Sequence, residues 1–173
     1  MKNGYLFLSV LFLFAKTTIA QEAWKSAKFG YELEIPKGFG LKTAVTENTD
    51  FKVVDSIGSS IVITTTIFPD EYKEVTIRDV VTDELQYVQD FVKGGLEHFD
   101  NLICTKSGWS TISGIECFWM DYTEGSPTLI HKNYQVVVSG VFFSINMTCE
   151  HSKSGLYSAV WFRFKDNILF QKI

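Results

Sequence analysis

The apolar positions of this chain change period along its length, and the changes divide it into strands, a helix, more strands and a closing helix. Phe29, Tyr31, Leu33 and Ile35 alternate with Gly30, Glu32 and Glu34, which predicts a strand with one buried face. Pro36 and a Gly38-Phe39-Gly40 turn stop it. Polar residues from Thr43 to Asp50 read as a loop, followed by a strand from Phe51 to Asp55 and a turn over Ser56 to Ser60. Ile61, Ile63, Thr65 and Ile67 line the inner face of the next strand, which forms a hairpin with the one before. After Pro69 the period changes. Ile77, Val80, Val81, Leu85, Val88, Phe91, Val92, Leu96 and Phe99 recur at spacings of three and four, the pattern of one long amphipathic helix. Thr76 with Asp79 makes a weak capping box at its start, and Gly94-Gly95 weakens its last turn.

From Leu102 the period returns to two. Ile103 to Trp109 and Ile115 to Thr123 flank a turn at Ser113-Gly114. A second turn spans Glu124 to Pro127, and Leu129 to Val138 and Val141 to Glu150 meet at Ser139-Gly140, a two-residue hairpin signal. In the last strand Val141, Phe143, Ile145, Met147 and Cys149 face one way, and Ser144, Asn146, Thr148 and Glu150 the other. Ile115 to Tyr122 is apolar on both faces, as a strand covered above and below would be. Ser152 or Ser154 is placed to cap a final helix with Tyr157, Val160, Trp161, Phe164 and Ile168 on its inner stripe. Two amphipathic helices and a doubly covered sheet predict an α+β fold, a three-layer α/β/α sandwich around a mainly antiparallel sheet.

The N-terminus changes the picture of where this fold works. Lys2, an apolar run from Gly4 to Ala15, and Thr18-Ile19-Ala20 have the three-part layout of a secretory signal peptide, with cleavage after Ala20. The run is about a dozen residues, short of the roughly 20 that cross a bilayer. The expectation is an exported protein, periplasmic or secreted, with residues 21–173 forming one domain and no transmembrane segment in the mature chain. Its 15 phenylalanines predict an aromatic-rich core, and the net charge of −4, with no stripe of Lys and Arg, leaves no electrostatic footprint for nucleic acid. The three cysteines allow at most one internal disulfide. Cys104 and Cys117, in neighbouring predicted strands, could meet across their hairpin; equally, all three could be buried small hydrophobes.

The succession Gly30-Tyr31-Glu32-Leu33-Glu34-Ile35-Pro36-Lys37-Gly38-Phe39, the strand Ile61 to Ile67 with the helix after it, the entry Ser113-Gly114-Ile115-Glu116-Cys117 and the aromatic C-terminal helix resembles the PsbP-like family. That family also takes in the Mog proteins and an exported bacterial branch, the DcrB-like proteins. The resemblance spans nearly all of the mature chain and implies the same α/β/α sandwich. It brings no shared catalytic residues, since its members act as binding or accessory proteins, and fold alone does not carry function.

The chemistry-bearing residues are sparse. Cys149-Glu150-His151 with His131 is the one tempting thiol–imidazole or metal cluster. The strand alternation opposes it: Cys149 shares the apolar face, and His131 is out of phase with Ile130 and Tyr134. The reading is a core cysteine beside two surface histidines. His98 falls near a helix end, where an imidazolium suits the dipole. Asp79, Asp83, Glu84 and Asp90 read as a solvated helix face. Trp119 and Trp161 read as core, whereas Trp109, beside Gly108, is the candidate for a partner or ligand surface. Asn146-Met147-Thr148 is a glycosylation sequon on an outward face. No phosphate-binding loop, dinucleotide glycine pattern or nucleophile elbow appears, so no catalytic, cofactor or metal residue is assigned. The functional expectation is a non-catalytic binding or accessory protein that engages a protein partner or small ligand in the envelope. The alternative is a small hydrolase whose site assembles from residues distant in sequence.

Overall fold

The computed structural model describes residues 22–44, 46–125 and 128–171. The expected leader, its expected cleavage point after Ala20 and part of the expected turn at Glu124 to Pro127 lie outside the described residues. The first strands are β1 (Ala23–Lys25), β2 (Tyr31–Glu34), β3 (Phe39–Leu41), β4 (Thr49–Asp55) and β5 (Ser60–Ile67). Gly38, at φ +89°, makes the turn that glycine tolerates without strain, but Phe39 and Gly40 continue as a strand on β4 rather than completing a turn. The helical period does not give one helix. It breaks into α1 (Ile77–Val80) and α2 (Glu84–Gly95), because Asp83 leaves the helical conformation and its carboxylate accepts the Gln86 amide at 3.0 Å, capping a new N-terminus. Thr76 does pair with Asp79, whose carboxylate accepts the Thr76 amide at 2.8 Å.

The second half is a meander of β6 (Ile103–Ile112), β7 (Ile115–Glu124), β8 (Leu129–Val138) and β9 (Val141–Glu150), then α3 (Ser154–Asp166) and β10 (Leu169–Phe170). Its tight turns have positive φ at both central residues, Ser113 and Gly114 in one, Ser139 and Gly140 in the other, the backbone that matches strand twist. Neither Ser152 nor Ser154 caps α3. A 3₁₀ turn over His151–Lys153 leads into it, and Ser152 Oγ donates to Glu150 instead.

Seven strands form one antiparallel sheet in the order β3-β4-β5-β9-β8-β7-β6, while β1, β2 and β10 form a separate three-stranded sheet. On one face of the large sheet Phe51, Val53, Ile61, Ile63, Val136, Phe143, Ile145 and Met147 pack against Tyr31, Leu33 and the α3 residues Trp161 and Phe164. The cover here is therefore α3 together with the small sheet, not a helix alone. Ile67, expected inside, is 69 % exposed at the end of the β5–β9 ladder, beyond this cluster. On the other face Ile77, Val81 and the α2 residues Tyr87, Val88 and Phe91 pack on Phe118, Met120, Tyr122 and Val137. Among the described residues, none from β3, β4 or β5 belongs to this second cluster. The α1–α2 cover thus sits over one half of the face and leaves the other half without it.

Candidate functional site

The uncovered half of the face ends in a set of polar rows, and the register explains them. Across β5, β9, β8 and β7 the facing residues run Ser60–Thr148–His131–Tyr122, then Val62–Asn146–Asn133–Met120, then Thr64–Ser144–Gln135–Phe118. Each row grades from half-buried hydroxyl or aliphatic side chains, through amides or an imidazole, to apolar side chains beneath α2. Period-two alternation sends these residues to this face because their neighbours fill the opposite core. At the cover's margin Tyr87 of α2 donates to Gln135 Oε1 at 2.7 Å, and Asn133 Nδ2 donates to Ser144 Oγ at 2.8 Å.

His131 is the centre of the first row, and it is buried (7 % exposed) rather than at the surface. The phase argument placed it correctly on the face opposite Cys149, but that face is covered here by the Tyr122 ring, stacked on the imidazole at 4.5 Å. Tyr122 OH donates to Asn146 Oδ1 at 3.1 Å. Asn146 Nδ2 is consequently turned toward Thr148 Oγ1 and His131 Nδ1, each at 3.4 Å, and Thr148 Oγ1 lies 2.9 Å from His131 Nδ1. With the amide nitrogen and the hydroxyl both directed at it, Nδ1 is assigned as the acceptor and the ring proton to Nε2, which faces Glu124 Oε1 at 3.2 Å without the alignment of a hydrogen bond. Burial lowers the imidazole from its ordinary value to about 4, and burial also raises the Glu124 carboxyl. The network is thus that of a neutral histidine. Asn133 Oδ1 and Glu124 Oε2 are buried beside it without a protein partner.

The other sequence candidates are scattered. Cys104 stands opposite Tyr122 and Cys117 opposite Ser110, so the two lie about 17 Å apart along the ladder, far beyond the Cα separation of roughly 7 Å that a disulfide spans. All three thiols are free, and the suggested bridge does not form. Cys149 is 2 % exposed, pairs with Ile130 and has its thiol pushed up to about 11 by burial, as has Cys117. Trp109 is half-buried and already engaged: its indole packs on Phe118, lies 3.5 Å beneath the Arg78 guanidinium and donates to Glu84 Oε1 at 2.5 Å. It pins α1 and α2 to the sheet instead of offering a free ring. Trp119, expected in the core, is half-buried with the Lys132 ammonium 4.5 Å from its ring, whereas Trp161 is buried. Asn146 of the sequon spends its amide within the network above. The helix carboxylates serve as caps and pairs, Asp79 and Asp83 at N-termini and Asp90 accepting from Gln86.

The surface also carries grooves. One of about 340 Å³ is bordered by Trp24, Leu33, Glu34 and Leu169 at the small sheet. Another of about 310 Å³ runs between α3 and the β6–β8 strands, with Lys106, Asp121, Lys132 and Trp161 in its walls. Among the described residues no helix is long and apolar enough to cross a membrane.

No family model and no curated protein matches the sequence. Solved structures do match by shape. CyanoP, the cyanobacterial PsbP of Synechocystis sp. PCC 6803, superposes with a TM-score of 0.69 at 13 % identity, covering 90 % of this chain and 96 % of CyanoP. LpqN of Mycobacterium tuberculosis, a protein involved in cell envelope biogenesis, gives 0.57 at 10 % identity over 86 % of this chain and 83 % of LpqN. PA94 of Pseudomonas aeruginosa, of unknown function, gives 0.53 at 11 % over 88 % of this chain and 99 % of PA94. At these identities the likeness is one of fold: a mixed α+β, PsbP-like architecture around a large antiparallel sheet.

Proposed function

We propose that this is an exported, non-catalytic binding or accessory protein whose single domain, residues 21–173, belongs with the DcrB-like, Mog-like branch of PsbP-like chains as a three-layer sandwich. Its work is to hold a protein partner or small ligand of the envelope against the uncovered half of the large sheet. The carrying observation is the set of hydroxyl and amide rows there, borne on rigid strands beside a half-covering helix pair. Support for the compartment comes from the leader-like N-terminus and from an envelope protein among the structural neighbours. Cys149 and His131 face opposite sides of the sheet, and the Cys149 thiol is buried and pushed up to about 11, which counts against nucleophilic chemistry between that pair.

A second reading, a small hydrolase, has one specific observation in its favour: Thr148 Oγ1, His131 and Glu124 follow one another as hydroxyl, imidazole and carboxylate. An imidazole lowered to about 4 is a weak base for that role at neutral pH. Affinity capture from the native envelope with the protein and its Ser144→Lys, Thr64→Lys variant separates the two. One stoichiometric partner, lost on the charged double substitution, supports binding. Turnover of a chromogenic ester that disappears in His131→Gln establishes the hydrolase and overturns the first reading.

A further inference from the structure

We propose that His131 is an acid-responsive latch: a proton taken up at Nδ1 reverses the Thr148 hydrogen bond, turns the Asn146 amide away, and resets which donors and acceptors β9 presents on the open face. It rests on the binding reading only for its consequence, since the switch is a property of the network itself. The orientation of the Asn146 amide sets the sense of the network. Tyr122 holds Asn146 Oδ1, which leaves the amide nitrogen to face Nδ1, and Thr148 fills the remaining approach to the same atom. Nδ1 can serve two donors only while it carries no proton. Once protonated it becomes a donor itself, and two donors then meet head-on at Asn146, in a site too buried for water to intervene freely.

The surroundings decide that this change stays local to β9. Among the described residues Glu124 on β7 is the carboxylate paired with the imidazole, and it faces Nε2, which keeps its proton in either state. Glu150, at the end of β9, is paired with Lys153 at 3.0 Å. Lys132 points to the opposite face, paired with Asp121 at 2.6 Å. From α2, Phe91 packs on Tyr122 and brings no charge. Thr148 can answer by rotating its hydroxyl, but the Asn146 amide can answer only by flipping, which replaces the bond it accepts from Tyr122 with one its nitrogen donates to the phenol oxygen. Asn146 and Thr148 are half-buried on the uncovered half, so the rearrangement reaches the surface.

Side-chain NMR of the purified protein from pH 7.5 to 3.5 tests this without any ligand, so it can fail while the binding reading stands. The expected result is one shared titration step, near pH 4, in the His131 ring, the Asn146 side-chain amide and the Tyr122 ring. His131→Gln, which does not titrate, abolishes the step at Asn146. Glu124→Gln retains it. The proposal is overturned if Asn146 is indifferent while His131 titrates, or if Glu124→Gln abolishes the step. Should His131→Gln not fold, Thr148→Val leaves the decisive coupling of His131 to Asn146 measurable, and its absence there counts equally against the latch.

Discussion

Mild acid should weaken this protein before its carboxylates begin to matter, and the buried His131 sets the size of the effect. In the unfolded chain an imidazole protonates near 6.5, whereas burial holds the folded His131 at about 4. Between those values the unfolded chain binds a proton that the native state refuses, so native stability is lost as pH falls. At 1.36 kcal/mol per unit, this group alone leaves the protein about 2 kcal/mol less stable at pH 5 than at pH 8. The carboxylates with depressed values, Asp55, Asp79, Glu116 and Glu150, act with the same sign, but only as pH falls below their ordinary range. Glu124 acts with the opposite sign: its folded value is raised, so it offsets part of the loss as pH approaches that range. Urea unfolding at pH 8, 6.5 and 5 measures the balance. With a slope of about 2 kcal/mol per molar, the wild-type midpoint should fall by about 1 M across this range. The His131→Gln midpoint, lower at pH 8, should stay nearly level. Parallel wild-type and variant curves would refute the argument and show that the folded imidazole titrates as it does in the unfolded chain.

Other substitutions probe the frame around the network. Phe143→Ala removes a ring in edge contact with Tyr31 and Phe29 at the centre of the first cluster and should cost about 3–5 kcal/mol in chemical denaturation. Gly58→Ala and Gly140→Ala both force a side chain to positive φ, at about 1–2 kcal/mol. The Gly140 variant should lose more, because its Cβ would stand 3.3 Å from the Lys73 Cα whereas nothing lies within 4 Å at Gly58. Unreduced protein should show three reactive thiols after denaturation and, while native, reaction at the half-buried Cys104 ahead of the others; a single thiol on denaturation would restore the bridge we exclude. Arg78→Ala should loosen α1 from β7 by losing both its bidentate pair with Glu116 and its stacking on Trp109, read as faster hydrogen exchange across α1 and α2.

The sequence by itself determined what depends on near neighbours. Alternation of apolar side chains gave the four long strands of the meander and their faces, Ser113-Gly114 and Ser139-Gly140 gave the turns, and the phase of Cys149 against His131 placed them on opposite sides of the sheet. Local chemistry also held the break between α1 and α2, since Asp83 three residues before Gln86 is a capping signal that the longer apolar period overrode. What only the tertiary structure decided depends on partners far along the chain. Whether Cys104 reaches Cys117 is a matter of register, and the tight Ser113-Gly114 turn fixes a ladder that sets them five positions out of step. Which face of the sheet receives full cover depends on where α2 docks, so hydroxyl and amide side chains with the same alternation are open on β9 and closed over on β8. His131 is buried because the Tyr122 ring, itself packed under Phe91 of α2, lies over it. A period of two names the side on which a residue lies, but only the packed neighbours fix what it meets there.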